Sequence, residues 1–135
     1  MLRNPMSLFT AVSILSILLS FPAQPAYADW LFGPDNFEEC IEEYLPRAET
    51  DSAARVIHTA CDRKFRKKQN TEQAECWLKH VVDTRSDVAV RAIATACSNL
   101  YVNNKKTDWS NCVLKKLPGV KVDAAARSIG ATCRT

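Results

Sequence analysis

Apolar and polar positions along residues 35–135 recur with the period of an α-helix. In the clearest stretch Phe37, Cys40, Ile41, Tyr44 and Leu45 fall at i, i+3, i+4, i+7 and i+8, and Glu38, Glu39, Glu42 and Glu43 fill the positions between them. That spacing puts apolar side chains on one face and carboxylates on the other, which predicts an amphipathic helix. A second stripe runs through Ile57, Ala60, Cys61 and Phe65, and returns at Ile93, Ala96, Cys97 and Tyr101. No segment sustains the two-residue alternation of a half-buried strand, so the chain is expected to be all-α.

The stripes return because the chain repeats. Cysteines stand at 40, 76 and 112 and again at 61, 97 and 133, both series stepping by 36. The same step relates Asp51, Asp87 and Asp123; Ala53, Ala89 and Ala125; Arg55, Arg91 and Arg127; and Ile57, Ile93 and Ile129. The copies run over about 35–70, 71–106 and 107–135. Asp35, Thr71 and Thr107 stand where the first helix of each copy should begin, and each can accept from free backbone N–H groups. Asp35 and Glu38 have capping-box spacing. Pro46 and the Pro118-Gly119 pair should stop the first helices of the first and third copies. Asp51, Asp87 and Asp123 are expected to cap the second helices and to pair locally with Arg55, Arg91 and Arg127 four residues on. The small residues Ala53, Ala89 and Ala125 should let helices approach closely. Each copy then reads as an αα-hairpin, and three hairpins as six helices in a small solenoid-like stack.

Two disulfide schemes respect this repeat. One joins Cys40 to Cys61, Cys76 to Cys97 and Cys112 to Cys133 within hairpins. The other joins Cys61 to Cys76 and Cys97 to Cys112 between hairpins, which strands Cys40 and Cys133. Unpaired terminal thiols are disfavoured in an oxidising compartment, so the first scheme is expected. In the chain-entropy account each bridge contributes roughly 3 kcal/mol. The spacing matches neither the C-x2-C pairs of zinc sites nor the C-x-x-C-H of covalent haem, and neither metal nor cofactor is expected.

Arg3 precedes an apolar run from Met6 to Phe21, followed by Pro22, Pro25 and the small-residue pattern Ala26-Tyr27-Ala28. This is the order of a cleaved secretory signal, residues 1–28, leaving one helical domain over 29–135. The run is shorter than the ~20 residues needed to span a bilayer, and no later run is longer, so no anchor is expected after cleavage. All six cysteines follow the cleavage point, which suits a periplasmic or secreted product.

Charge adds a finer pattern. Lys and Arg number 18 against 15 Asp and Glu, for a net +3, too balanced for a basic nucleic-acid binder. Within that balance, six acids between Asp29 and Glu43 precede Arg63, Lys64, Arg66, Lys67 and Lys68, and Lys105 and Lys106 occupy the next linker. These cations are the candidate contacts for an anionic envelope component or an acidic protein. Catalytic signatures are absent: the sequence has no G-x-S-x-G, no H-E-x-x-H and no phosphate-cradling glycine loop. His58 and His80 stand in register with Ala94 and with Tyr44 and Lys116, which favours a surface or edge role over acid–base chemistry. The glutamates of the first helix form its solvated face, since hard cations usually take ligands from a bent loop.

The stretch from Leu31 to Ile41, and Asp87-Val-Ala-Val-Arg-Ala-Ile93 with Cys97, resemble small exported bacterial proteins. Their repeats carry a Cys-Ile/Val-Leu segment, then Asp-x-Ala-Ala-Arg-x-Ile, then Ala-Cys. The resemblance implies bacterial export and a helical repeat, and brings no activity with it. The 36-residue hairpin is also similar to Sel1-like repeats, from which it departs in lacking their glycine pairs and in its cysteine spacing. The function expected from these features is an exported binding or scaffold module, of which no oligomeric state is legible. A cell-wall-active enzyme or its modulator, and a membrane-active toxin or inhibitor, are the alternatives.

Overall fold

The computed structural model describes residues 33–105 and 107–134. The expected signal segment 1–28, the start at Asp29 and Lys106 lie outside the described residues. Those residues form six α-helices and no strand: α1 (Phe37–Tyr44), α2 (Asp51–Cys61), α3 (Thr71–Val81), α4 (Asp87–Tyr101), α5 (Asp108–Lys116) and α6 (Asp123–Thr132). They pair as hairpins α1/α2, α3/α4 and α5/α6. The second helices pack directly on one another, α2 on α4 and α4 on α6, while α3 lies against both α2 and α4. Cys40, Ala53, Ile57, Ala60, Cys61, Val81, Val90, Ile93, Ala96 and Cys97 are fully buried in the continuous core that results.

Five of the six helix starts differ by one residue from the sequence expectation. Asn36, not Asp35, caps α1: its Oδ1 accepts from Glu39 N at 2.9 Å while its Nδ2 donates to Glu39 Oε1 at 2.7 Å. An amide can accept and donate in this way, and the second Glu39 oxygen accepts from Asp35 N at 2.8 Å. Asn70, in a left-handed conformation, precedes α3 in place of Thr71, and Thr107 caps α5 as its side chain predicts. Asp51, Asp87 and Asp123 are the first helical residues and not the caps. Thr50 and Ser86 supply the capping oxygens, to Ala53 N and Ala89 N, both at 3.1 Å. Hydroxyls one residue earlier reach the free N–H groups directly, and the carboxylates are left to favour the positive helix start. In the third copy Val122 takes that place and no side chain caps α6. Among the described residues no salt bridge joins these aspartates to Arg55, Arg91 or Arg127.

Two expected core positions are exposed. Tyr101 is 45% exposed although its register mate Phe65 packs on the core. The first copy widens into a π-helical turn over Asp62–Lys67, whereas α4 continues as an α-helix and carries residue 101 outward. Ala125 is exposed where Ala53 and Ala89 are fully buried, because among the described residues no first helix packs on α6 as α3 packs on α2 and α5 on α4.

Candidate functional site

The three disulfides occupy one place in each hairpin: Cys40–Cys61, Cys76–Cys97 and Cys112–Cys133, with Cα–Cα distances of 5.8, 5.8 and 5.5 Å. Each joins the first helix of a hairpin to the second, and no described cysteine is free. The first two bridges are buried. The third is less so, because Cys112 is partly exposed and Cys133 lines an open depression of about 420 Å³ with Asp108, Trp109 and Arg134.

The tips of the hairpins form a ladder. Arg47 Nη2 meets Asp83 Oδ2 at 2.5 Å and Arg47 Nε meets Oδ1 at 3.3 Å, while Asp83 N donates to Arg47 O at 3.1 Å. Arg85 pairs with Glu49 at 3.2 Å. Both pairs join identical register positions of adjacent hairpins. The next rung is built differently: Gly119 N donates to Thr84 Oγ1 at 2.9 Å, and Arg85 N and Ser86 N donate to Val120 O at 3.1 and 3.0 Å. Asp83 and Gly119 are in register and both adopt positive φ, 60° and 76°, which glycine takes without a steric cost. Ser86 Oγ donates to Asp123 Oδ1 at 2.6 Å. Hydrogen bonding from Arg47 holds the Asp83 carboxyl below its ordinary range, and that from Ser86 does the same for Asp123.

The basic run at 63–68 is largely engaged within the molecule. Arg63 donates to Gln73 Oε1 and lies 4.9 Å over the Trp77 ring. Gln73 Nε2 in turn donates to Ser98 Oγ at 2.6 Å, and both Ser98 Oγ and Trp77 Nε1 donate to Ala94 O, at 2.9 and 3.1 Å. This partly buried chain of polar groups ties the π turn to α3 and α4. Lys64 pairs with Glu75 at 3.3 Å, and Lys67 with Asp62 at 2.8 Å. Arg66 reaches back to α1, 3.3 Å from Glu38 and 3.5 Å over the Phe37 ring. Lys68 takes the left-handed conformation that reverses the chain, as does Asn104 one repeat later. Lys105 is exposed in that second turn.

Neither histidine sits in a constellation. His58 is exposed and packs edge-on against Phe37, with ring centroids 5.5 Å apart. His80 is partly buried, and desolvation, with Lys79 nearby, lowers its pKa. Among the described residues no three His, Cys, Asp or Glu side chains converge in a way that could hold a metal ion. No described helix is long and apolar enough to cross a membrane. The tip ladder and the Arg63–Gln73–Ser98 chain escape sequence reasoning. Their one visible signal is the 36-residue separation of Arg47 from Asp83 and of Glu49 from Arg85.

Residues 65–135, just over half of the chain, match the family model described as Four-cysteine protein VF_A0006-like. The matched stretch contains Cys76, Cys97, Cys112 and Cys133, and therefore the last two stapled hairpins. The Cys40–Cys61 hairpin lies ahead of it. No curated protein and no solved structure matches the chain.

Proposed function

This chain belongs to the four-cysteine VF_A0006-like family, and from that premise we propose that it is an exported binding or scaffold protein. Its role is to hold rigid helix faces toward a protein partner in the cell envelope or outside the cell. One observation carries the reading: three hairpins are stapled at the same register by bridges that leave no described cysteine free. Such density of disulfides suits an oxidising compartment, and the order of residues 1–28 suits export to one. Stapled helices lose little conformational freedom on binding, so contacts made on their faces are not offset by ordering. A protein partner is favoured over an anionic polymer because four of the five cations at 63–68 already have acidic, amide or aromatic partners within the molecule.

The test is a non-reducing peptide map of the protein recovered from its native location, followed by photo-crosslinking from Lys105 and Val122. A start at Asp29, three bridges 21 residues apart, and a defined protein adduct that is lost on reduction are expected. Free thiols in a cytoplasmic product, or the same adduct from fully reduced protein, would overturn the proposal.

A further inference from the structure

In a stacked repeat, each second helix is covered by the first helix of the next hairpin, and among the described residues α6 has no such cover. The register shows what α6 leaves open. Ala53 and Ala89 are fully buried, as are Ile57 and Ile93, whereas Ala125 is exposed and Ile129 only partly buried. Within α6 only Ala126 is buried. Ala124, Ala125, Ser128 and Ala131 are all exposed, giving α6 a small-residue face that a helix can approach closely. The cover on α2 is α3 and that on α4 is α5, so the established interface, continued by one step, calls for another first helix.

The opposite end of the molecule offers one. Helix α1 follows no hairpin among the described residues, and Glu38 and Glu42 are exposed where their register mates Ala74 and Leu78 are buried. It carries Glu38, Glu39, Glu42 and Glu43 and no cation. The third copy has the reverse balance, with Lys115, Lys116, Lys121, Arg127 and Arg134 against Asp108 and Asp123. Helix α1, of which Glu38 already meets Arg66, and the third copy are thus opposite in charge and stand at opposite ends of the repeat.

We propose that the open face of α6 docks helix α1 of a second copy, head to tail, so that the hairpin stack runs on from one molecule into the next. The contact is heterologous and propagates as an open chain. It brings the α1 carboxylates to the end that carries Arg127 and Arg134, and the association is therefore weakened by salt. The inference stands on the fold and the charge distribution and does not depend on export or on another partner.

Sedimentation of the purified oxidised protein tests it. The unaltered protein should form concentration-dependent oligomers at low salt that dissociate by at least about tenfold in affinity near ~1 M salt, where the screening length falls to about 3 Å. Glu42→Lys disables the α1 end and Ala125→Glu the α6 end; both sites are exposed, and retained melting temperatures verify folding. Each variant alone should be monomeric, and an equimolar mixture should form one-to-one dimers and nothing larger. A monomer at every concentration for the unaltered protein, or dimers of Glu42→Lys alone through paired α6 helices, would overturn the proposal.

Discussion

The hydroxyl of Ser86 accepts from Ala89 N at the start of α4 and donates to Asp123 Oδ1 at the start of α6. One buried side chain therefore starts a helix and joins the second hairpin to the third. Ser86→Ala should cost about 1–2 kcal/mol, combining a lost cap with a lost bond to a charged acceptor. Thr50→Ala removes only a cap and should cost less, about 1 kcal/mol, and chemical denaturation of the two variants distinguishes these outcomes. The sequence points at this site without resolving it. The repeated Asp marks the right turn of each second helix, but hydroxyl and carboxylate are both good capping groups, and periodicity does not locate a helix start to a single residue. The residue before each Asp, Thr50 or Ser86, holds the capping bond, and the Val at 122 removes it from the third copy.

At the level of elements, helical periodicity and the 36-residue step were sufficient to read six helices in three hairpins, because both report which faces are buried. The π turn over Asp62–Lys67 has no such signature, since its equivalent in the second copy keeps the α-helical period to Tyr101. The last hairpin differs in another way. Helix α6 buries one side chain, and its bridge borders an open depression, whereas Cys40, Cys61 and Cys97 are fully buried. A small thiol reaches a half-buried bridge with less opening of the structure than a buried one, so access should set the order of reduction. Timed alkylation and peptide mapping should find Cys112–Cys133 opening first, about tenfold or more ahead of the other two. Equal rates for all three would mean that reduction waits on opening of the whole stack.

Across the whole molecule, acids and bases that are separated along the chain meet in space. The acidic first helix and the basic run 63–68 suggest two surfaces in the sequence, yet Arg66 folds onto Phe37 and Glu38 and joins them. Helical periodicity alone does not show that meeting, because it depends on the α1/α2 hairpin laying the π turn beside the start of α1. The hydrogen-bonded carboxyls also make stability depend on pH. Asp62, Asp83 and Asp123 are held below their ordinary range by Lys67, Arg47 and Ser86 respectively. Their contribution is complete above the unfolded carboxyl value, about 3.9, and is lost as pH falls through the lower folded values. Burial lowers the His80 pKa, so the unfolded chain takes up that proton first, and stability already declines as pH drops below about 6.5. Melting temperatures from pH 8 downward should fall in two stages, His80→Gln abolishing the upper one and Asp83→Asn reducing the lower.

A lock that joins a residue to its counterpart 36 positions on needs opposite partners at one register position, so copying a hairpin unchanged does not make one. Arg47 with Asp83 and Glu49 with Arg85 are such locks, and each hairpin also carries its own staple. Tandem duplication of one hairpin would thus deliver the fold and its covalent brace together, whereas the ionic joint between copies needs the two to diverge in sequence.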